Sequence, residues 1–308
     1  MLKARSAQPH LNAEEIGSIL VSLPDPRNQW ELLSALDAAR AARRRKLEEA
    51  DSLLGDLDTF VLDAVGLALP LPDGRTTYAV RVGDLRGGRC DALYHAPNVR
   101  ALARLLQRSP LPKVPLGELA PDPAGGATPT RGNQELYSTE GVRFLRIMNI
   151  APFELRLDEV KYITNEVHER MLGRSQLQAG DVVMTITGRV GTAAVIPADV
   201  LPANINQHIV RIRLADRRVS ADYLTAYLNC SLGLAMTNRG VTGGTRIAVD
   251  YGTVRGLSIP IAKPEIQKKI ASEIARRRAA ARRLREQAAQ LWDGAKRRFE
   301  EALLGTAT

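Results

Sequence analysis

The sequence predicts an α+β protein: a mixed domain, built on a small curved antiparallel sheet, flanked by two long helices with coiled-coil seams. Three observations carry the prediction. A short segment recurs 238 residues downstream at the head of each helix. Both helices keep a heptad spacing of apolar residues. The stretch between them breaks into short β-type runs separated by glycine turns. These signals divide the chain into an N-terminal strand segment at 1–23, a first helix at 24–67, the mixed domain at 75–258 and a second helix at 259–305.

The repeat places Ile19 to Gln29 (ILVSLPDPRNQ) over Leu257 to Gln267 (LSIPIAKPEIQ). Each copy reads as an apolar strand, then Pro-x-x-Gln, then a helical run. Pro26 and Pro264 suit the first turn of a helix, where a missing N–H costs nothing. A repeat this far apart is no solenoid period; one structural device brackets a central domain.

The first run, Pro26 to Val65, carries Leu33, Leu36, Leu47, Ala50, Leu54, Leu57, Val61 and Ala64 at alternating spacings of three and four, with Arg40 and Arg43 filling two seam positions. The second, Pro264 to Leu304, carries Ile270, Ile274, Arg277, Ala281, Leu284, Ala288, Leu291, Ala295, Arg298 and Ala302. These are coiled-coil heptads, and a helix of about 40 residues is roughly 60 Å long. Gly66 and Gly305 stand where a terminating glycine belongs. Asp25 to Gly66 has a net charge of −3 and Lys263 to Glu301 one of +6. Amphipathic helices of opposite sign are expected to pack on each other, within one chain or between two.

Between the helices, β-type runs are read at Tyr78–Val82, Val142–Ile147, Val182–Ile186, Ala193–Ile196 and His208–Arg213, and helices at Val99–Gln107 and Ala221–Leu234. Pro121 to Thr130 (PDPAGGATPT) reads as a loop.

Composition narrows the function. Hydrophobic residues make up 44% and charged residues 25%, the balance of an ordinary globular protein. Aromatics at 4% are too scarce for a wall of base-stacking platforms. A net charge of +9 and a pI near 9.8 favour a polyanionic partner. Cys90 and Cys230 make neither a disulfide framework nor a zinc site by themselves. No apolar stretch has the length of a membrane span or a signal-peptide core, so the cytoplasm is the expected compartment.

The motifs of common chemistries are missing from the sequence. It has no P-loop, G-x-S-x-G, H-E-x-x-H or C-x-x-C, and no [DN]-P-P-[FYW] of an amino-methyltransferase. His10, His95, His168 and His208 show no metal-ligand spacing, and no cofactor is expected. Pro121-Asp122 with Glu159-Val160-Lys161 echoes a PD…ExK metal nuclease, at a spacing that arises easily by chance.

Three loops read instead as a recognition surface for double-stranded DNA. Gly188-Arg189-Val190-Gly191 is either a tight turn or a backbone clamp, with Thr185, Thr187 and Thr192 around it. Asn204, Asn206, Gln207 and His208 precede a strand, and Thr245 and Arg246 follow a glycine pair. Arg143 and Arg146 on a neighbouring strand join these candidates. Amides pair with adenine edges, arginine with guanine edges and hydroxyls with either.

At this point the residues resemble a known family. Leu177 to Gly191 (LQAGDVVMTITGRVG) resembles the core of target-recognition domains in the specificity (S) subunits of type I restriction-modification systems. Asn204 to Ile212 is similar to that family's N-x-N-Q-H strand entry, and Asp91 to Pro97 resembles its domain opening. Tyr223-Leu224, Gly243 with Thr245, and Ile259-Pro260 leading to Gln267 fit its closing segment; the long helix that follows resembles its spacer helix. The resemblance covers nearly the whole chain.

It implies a non-catalytic subunit that reads half of a bipartite DNA target. Methyltransferase (M) and motor-nuclease (R) subunits act beside it, and the spacer helices set the unread gap. A full subunit carries two recognition domains; this sequence carries one. Leu11 to Ile19 align with Val249 to Leu257, so the first residues resemble the end of a preceding recognition domain. The chain is read as a half-subunit that dimerises, or as the C-terminal part of a longer one. The expected dimer uses Pro26–Val65 and Pro264–Leu304, with Leu33, Leu36, Leu47, Leu54, Leu57, Val61, Ile270, Ile274, Leu284 and Leu291 in the interface. A nuclease using Asp122, Glu159 and Lys161, and a protein-binding coiled-coil scaffold, are the alternatives.

Overall fold

The computed structural model describes residues 12–19, 22–71, 73–85, 89–129, 134–242 and 247–304. They fall into two compact units, 1–54 with 278–308, and 55–277. Along the chain the first helices are α1 (Ala13–Gly17), α2 (Pro26–Gly55), α3 (Leu57–Ala64), α4 (Ala92–His95) and α5 (Pro97–Arg108). Then come β1 (Lys113–Pro115), α6 (Leu116–Leu119), β2 (Ala124–Gly125), β3 (Tyr137–Ser138), β4 (Val142–Leu145), β5 (Ile150–Ala151), β6 (Glu154–Leu155) and β7 (Lys161–Ile163). They are followed by β8 (Val182–Thr185), β9 (Ala193–Val195), β10 (Ala203–Ile205) and β11 (Ile209–Ile212). The last are α7 (Ala221–Asn229), α8 (Ser231–Arg239), α9 (Tyr251–Gly256), β12 (Ser258–Pro260) and α10 (Pro264–Leu304). The α+β class and the long helices agree with the sequence reading.

In the unit of residues 1–54 and 278–308, α2 and α10 run antiparallel. Ser22 donates to the Leu303 carbonyl at 2.9 Å, Lys46 to the Gln287 amide oxygen at 2.8 Å, and Arg285 pairs with Asp51 at 3.0 Å. The opposite charges of the two helices therefore meet within one chain. Arg40 and Arg43, which hold two seam positions, lie 6.0 and 5.9 Å from the centre of the Trp292 ring. The ring's negative face offsets the cost of placing cations at a seam. Ala281, Ala288 and Ala295 form a buried row at seven-residue spacing, whereas Leu291 is 40% and Leu33 56% exposed.

The second helical run has the expected bounds, Pro264–Leu304, but the first is shorter than the sequence suggested. The first is not continuous to Val65: α2 ends at Gly55, and a turn at Asp56 precedes α3. Glycine is the poorest helix former here apart from proline, so the run breaks at its weakest point. Leu57, Val61, Ile270 and Ile274, expected in the interhelical seam, are buried in the unit of residues 55–277. There Asp58 accepts the Ser231 N–H at 2.7 Å and so anchors α3 to the start of α8. Gly66, at φ +73°, ends α3 as expected, with the Leu67 N–H reaching back to the Leu62 carbonyl at 2.9 Å. Gly305 lies outside the described residues.

The unit of residues 55–277 holds two four-stranded sheets where one was expected. One is antiparallel throughout, in the order β2-β11-β8-β9; the other, β10-β4-β7-β3, contains the parallel pair β10–β4. Two short antiparallel pairs, β1–β12 and β5–β6, complete the pattern. The sheets share one core: Leu145, Ala203 and Ile205 of the mixed sheet pack with Val183, Ala194 and Ile209 of the antiparallel one. Residues 206–208 are the corner where the chain leaves one sheet and enters the other. Tyr78–Val82 forms no strand, and Ala221–Leu234 splits into α7 and α8 at Cys230.

Two local devices fix this core. In the 121–130 loop, a Cβ added to Gly125 would stand 1.7 Å from the Tyr251 hydroxyl, and one added to Gly126 would stand 1.7 Å from the Ile205 carbonyl. Only glycine lets the loop lie that close. Asp181, 2% exposed, accepts Nε and a terminal nitrogen of Arg213, each at 2.7 Å, and the Gln178 N–H at 2.7 Å. Removing Asp181 takes the buried acceptor from the Gln178 N–H and from a partly exposed Arg213. Asp181→Ala is expected to cost about 1–3 kcal/mol in urea unfolding. Asp181→Asn, which keeps an acceptor, should cost clearly less.

Candidate nucleic-acid interface

Four loops of the unit of residues 55–277 converge at one end of the two sheets. The first joins β8 to β9. Gly188 and Gly191 have φ of +69° and +93°, the left-handed region that glycine enters freely. Thr185 closes the turn: its hydroxyl accepts the Thr192 N–H at 3.1 Å and donates to the Arg189 carbonyl. The tight-turn reading of this G-x-x-G is thus correct for its glycines. The turn leaves Arg189 exposed at its tip, and the guanidinium reaches the Ile150 carbonyl at 3.3 Å.

That bond ties the first loop to the second, the short turn Ile147–Asn149 after β4. Asn149 holds it: its Oδ1 accepts the Arg146 N–H at 2.9 Å and its Nδ2 donates to the Arg156 carbonyl at 2.8 Å. Arg146 extends to the Glu159 carbonyl at 2.8 Å, and Met148 is 48% exposed. The third loop is the sheet corner. The Asn206 side chain accepts the His208 N–H at 3.1 Å, a local turn of the kind asparagine favours. Gln207 is exposed, its Oε1 accepting the Thr128 hydroxyl. His208 Nδ1 meets the Thr187 hydroxyl at 2.8 Å. The fourth loop closes with a bridge between Thr242 and Ala248, and Ala248 also bridges to Thr187. Ile247 is 44% exposed beside it.

The candidates from the sequence therefore separate. Arg146, Thr187, Arg189, Gln207 and His208 come together at the loop cluster. Thr185 and Asn204 are fully buried and Asn206 and Thr192 nearly so, and their polar atoms serve the fold. Asn204 accepts from Ser175 at 2.7 Å and meets His168 Nδ1 at 2.8 Å. Half-buried Arg143 spends its guanidinium on the Val200 carbonyl at 2.9 Å. Thr245 and Arg246 lie outside the described residues. Sequence reading passed over Thr128, Met148 and Ile247. Thr128 was hidden in a loop judged by composition. Met148 and Ile247 are apolar, and only the fold shows that they are exposed.

The residues of the nuclease-like pattern are divided between the two sheets. Asp122 precedes β2 of the antiparallel sheet and pairs with Arg211 at 3.1 Å, whereas Lys161 stands on β7 of the mixed sheet. Among the described residues no three His, Cys, Asp or Glu side chains are grouped to hold a metal ion. A cleft of about 470 Å³ adjoins the fourth loop, lined by Arg89, Asp91, Leu93, Thr242 and Ile247. Behind it the Tyr94 ring lies 5.0 and 4.1 Å from the guanidinium carbons of Arg89 and Arg239. No described helix is long and apolar enough to cross a membrane.

No family model and no curated protein matches this sequence. Solved structures do. A chain from a type I R-M system, studied for its complex assembly and conformational transition, is similar at a TM-score of 0.51 and 16% identity, over 97% of this chain and 64% of that one. The HsdS subunit from Thermoanaerobacter tengcongensis gives 0.44 and 15%, over 98% of this chain and 64% of that one. The S subunit of the type I restriction-modification system from M. genitalium gives 0.49 and 8%, over 90% and 61%. The fold is thus one found in a type I restriction-modification assembly, and this chain spans less than two thirds of each of those chains.

The network of Ser175, Asn204 and half-buried His168 has a pH signature. Desolvation holds the His168 imidazole below its ordinary value of 6.5. The folded state then favours the neutral ring. The stability it contributes is complete above pH 6.5 and falls as the pH drops towards and through the lowered value. Urea unfolding from pH 7.5 to 5 should show this decline in the native chain and a flatter profile in His168→Asn.

Proposed function

We propose that the chain is a DNA-reading specificity subunit of the type I restriction-modification kind, in which residues 55–277 recognise a short half-site. One observation carries the reading: the loop cluster gathers Arg146, Arg189, Gln207, His208 and Thr187 on one end of a packed scaffold, with Met148 and Ile247 beside them. Arginine, amide and imidazole groups are the donors that read base edges, and an apolar side chain suits a thymine methyl group. The net charge of +9 supports attraction to a polyanion. The resemblance of residues 177–191 and 204–212 and the shared fold support the same reading.

In this reading the chain does no chemistry of its own. It positions a methyltransferase subunit, and through the assembly a motor-nuclease subunit, on a bipartite target. The isolated chain is expected neither to methylate nor to cut DNA with magnesium and S-adenosylmethionine present; turnover by a preparation free of other subunits would refute this.

Duplex binding tests the interface. Arg189→Ala and Gln207→Ala should each weaken specific binding by about 1–3 kcal/mol when the side chain reads a base. Unchanged affinity in both, measured by fluorescence anisotropy on a selected target duplex, would remove the assignment.

The two-fold dimer is a separate proposal, because the matched seams and opposite charges that suggested it are used within one chain. A dimer through these helices would have to employ apolar side chains they leave exposed, among them Trp30 and Leu33 on α2 and Leu291 on α10. Light scattering at micromolar concentration decides it. A dimer lost in Trp30→Glu with Leu33→Glu would support this face, and a wild-type monomer would dismiss it. Leu47→Glu with Leu54→Glu should instead loosen the helix pair within each chain.

A further inference from the structure

The amide oxygens of the loop cluster are already engaged. The four loops, 146–149, 186–192, 206–208 and 242–248, contain three side-chain amides and no aspartate or glutamate. Each amide has its oxygen bonded to the protein. Asn149 Oδ1 accepts the Arg146 N–H at 2.9 Å, Asn206 Oδ1 accepts the His208 N–H at 3.1 Å, and Gln207 Oε1 accepts the Thr128 hydroxyl. The strong side-chain acceptors are therefore either absent from this surface or turned to the protein.

What remains is donors. A guanidinium has five N–H groups and no acceptor. Arg189 gives one nitrogen to the Ile150 carbonyl at 3.3 Å, and Arg146 one to the Glu159 carbonyl at 2.8 Å. Among the described residues Gln207 Nε2 has no partner, while its Oε1 is held. His208 Nδ1 lies 2.8 Å from the Thr187 hydroxyl; with that hydroxyl as donor, the ring keeps its proton on Nε2, a donor too. Threonine hydroxyls take either role and do not discriminate.

The polarity selects bases. In the major groove guanine offers N7 and O6 and thymine offers O4, all acceptors. Adenine and cytosine each put an amino group there, N6 or N4. A donor surface pairs with the first set and leaves those amino N–H groups without an acceptor, which costs more than a bond gains. Reading adenine with glutamine needs the amide oxygen and nitrogen aimed together at one base. Thr128 holds the oxygen, so the pair is broken. Met148 and Ile247, 48% and 44% exposed, suit the thymine methyl group that stands beside O4.

We infer that the loop cluster reads keto bases, the guanine and thymine edges of the major groove, and that Thr128 makes Gln207 a donor instead of an adenine reader. Thr128 is a positioning residue, acting through Gln207. The inference rests on the recognition reading above and adds the class of base to it.

Single-atom changes in the DNA test it. The full chain selects a target from a pool of random duplexes, and fluorescence anisotropy then compares that target with analogues. Replacing guanine by 7-deazaguanine, which lacks the N7 acceptor, should weaken binding about tenfold at one position or more. Replacing adenine by purine, which lacks the N6 amino group, should change it by less than about threefold at every position. A tenfold loss on removing an adenine amino group, or no loss with any 7-deazaguanine, would overturn the inference. Gln207→Ala locates the position that Gln207 reads. There Thr128→Val should raise the preference for adenine about fivefold or more, and Thr128→Ser, which keeps the hydroxyl, should not. An unmoved preference in Thr128→Val refutes the positioning role. If the chain selects no duplex at all, the recognition reading itself falls; binding that depends on amino groups overturns only the choice of bases.

Discussion

The unit of residues 55–277 depends on a corner. Two four-stranded sheets share one core, and between β10 and β11 the chain has only residues 206–208 in which to pass from one to the other. A backbone that turns this sharply must satisfy its own polar groups. It does so with Asn206, whose N–H donates to the Leu145 carbonyl at 3.1 Å and whose side chain accepts from His208. The Ile186 N–H then takes the His208 carbonyl at 2.9 Å. The bend that merges the sheets thereby sets the β8–β9 turn beside it, and Gln207 is left outside because the residues on either side are committed inward.

The exposed polar side chains therefore need no long loops to be held in place. Arg189 is fixed through the Ile150 carbonyl, His208 through Thr187, and Gln207 through Thr128. Arg189 and Gln207 are surface groups and His208 is half-buried, each with one bond to the scaffold, so its rotamer freedom is reduced before any ligand arrives. That lowers the entropy lost on binding.

Much of this was legible in the sequence, for reasons that differ by element. The long helices show because heptads are a repeated signal, and their first residues show because Pro26 and Pro264 mark helix starts. The break at Gly55 was missed because the heptad spacing runs straight through it. The polar loops were found by residue type, but type does not separate Asn204, buried against Ser175 and His168, from Gln207, which is exposed three residues later. That distinction depends on Asn204 lying within β10 and Gln207 at the corner that follows it. The parallel pair β10–β4 joins segments about sixty residues apart, and nothing local announces it. Met148 and Ile247 carry the opposite lesson: apolar residues, passed over in a search for polar readers, can stand at a surface.

The repeat has a genetic consequence. A DNA crossover between the two copies, one ending at Gln29 and the other at Gln267, keeps the proline and the glutamine in register, because each glutamine donates to the carbonyl five residues before it, Pro24 or Ala262. Such an exchange removes or duplicates residues 30–267, most of α2 together with the loop cluster, and leaves an intact joint behind. Recombination at this site would change which surface the molecule presents while keeping a long helix after the joint. A protein built this way can exchange a whole folded segment in one event, with no run of intermediates whose cores are half repacked.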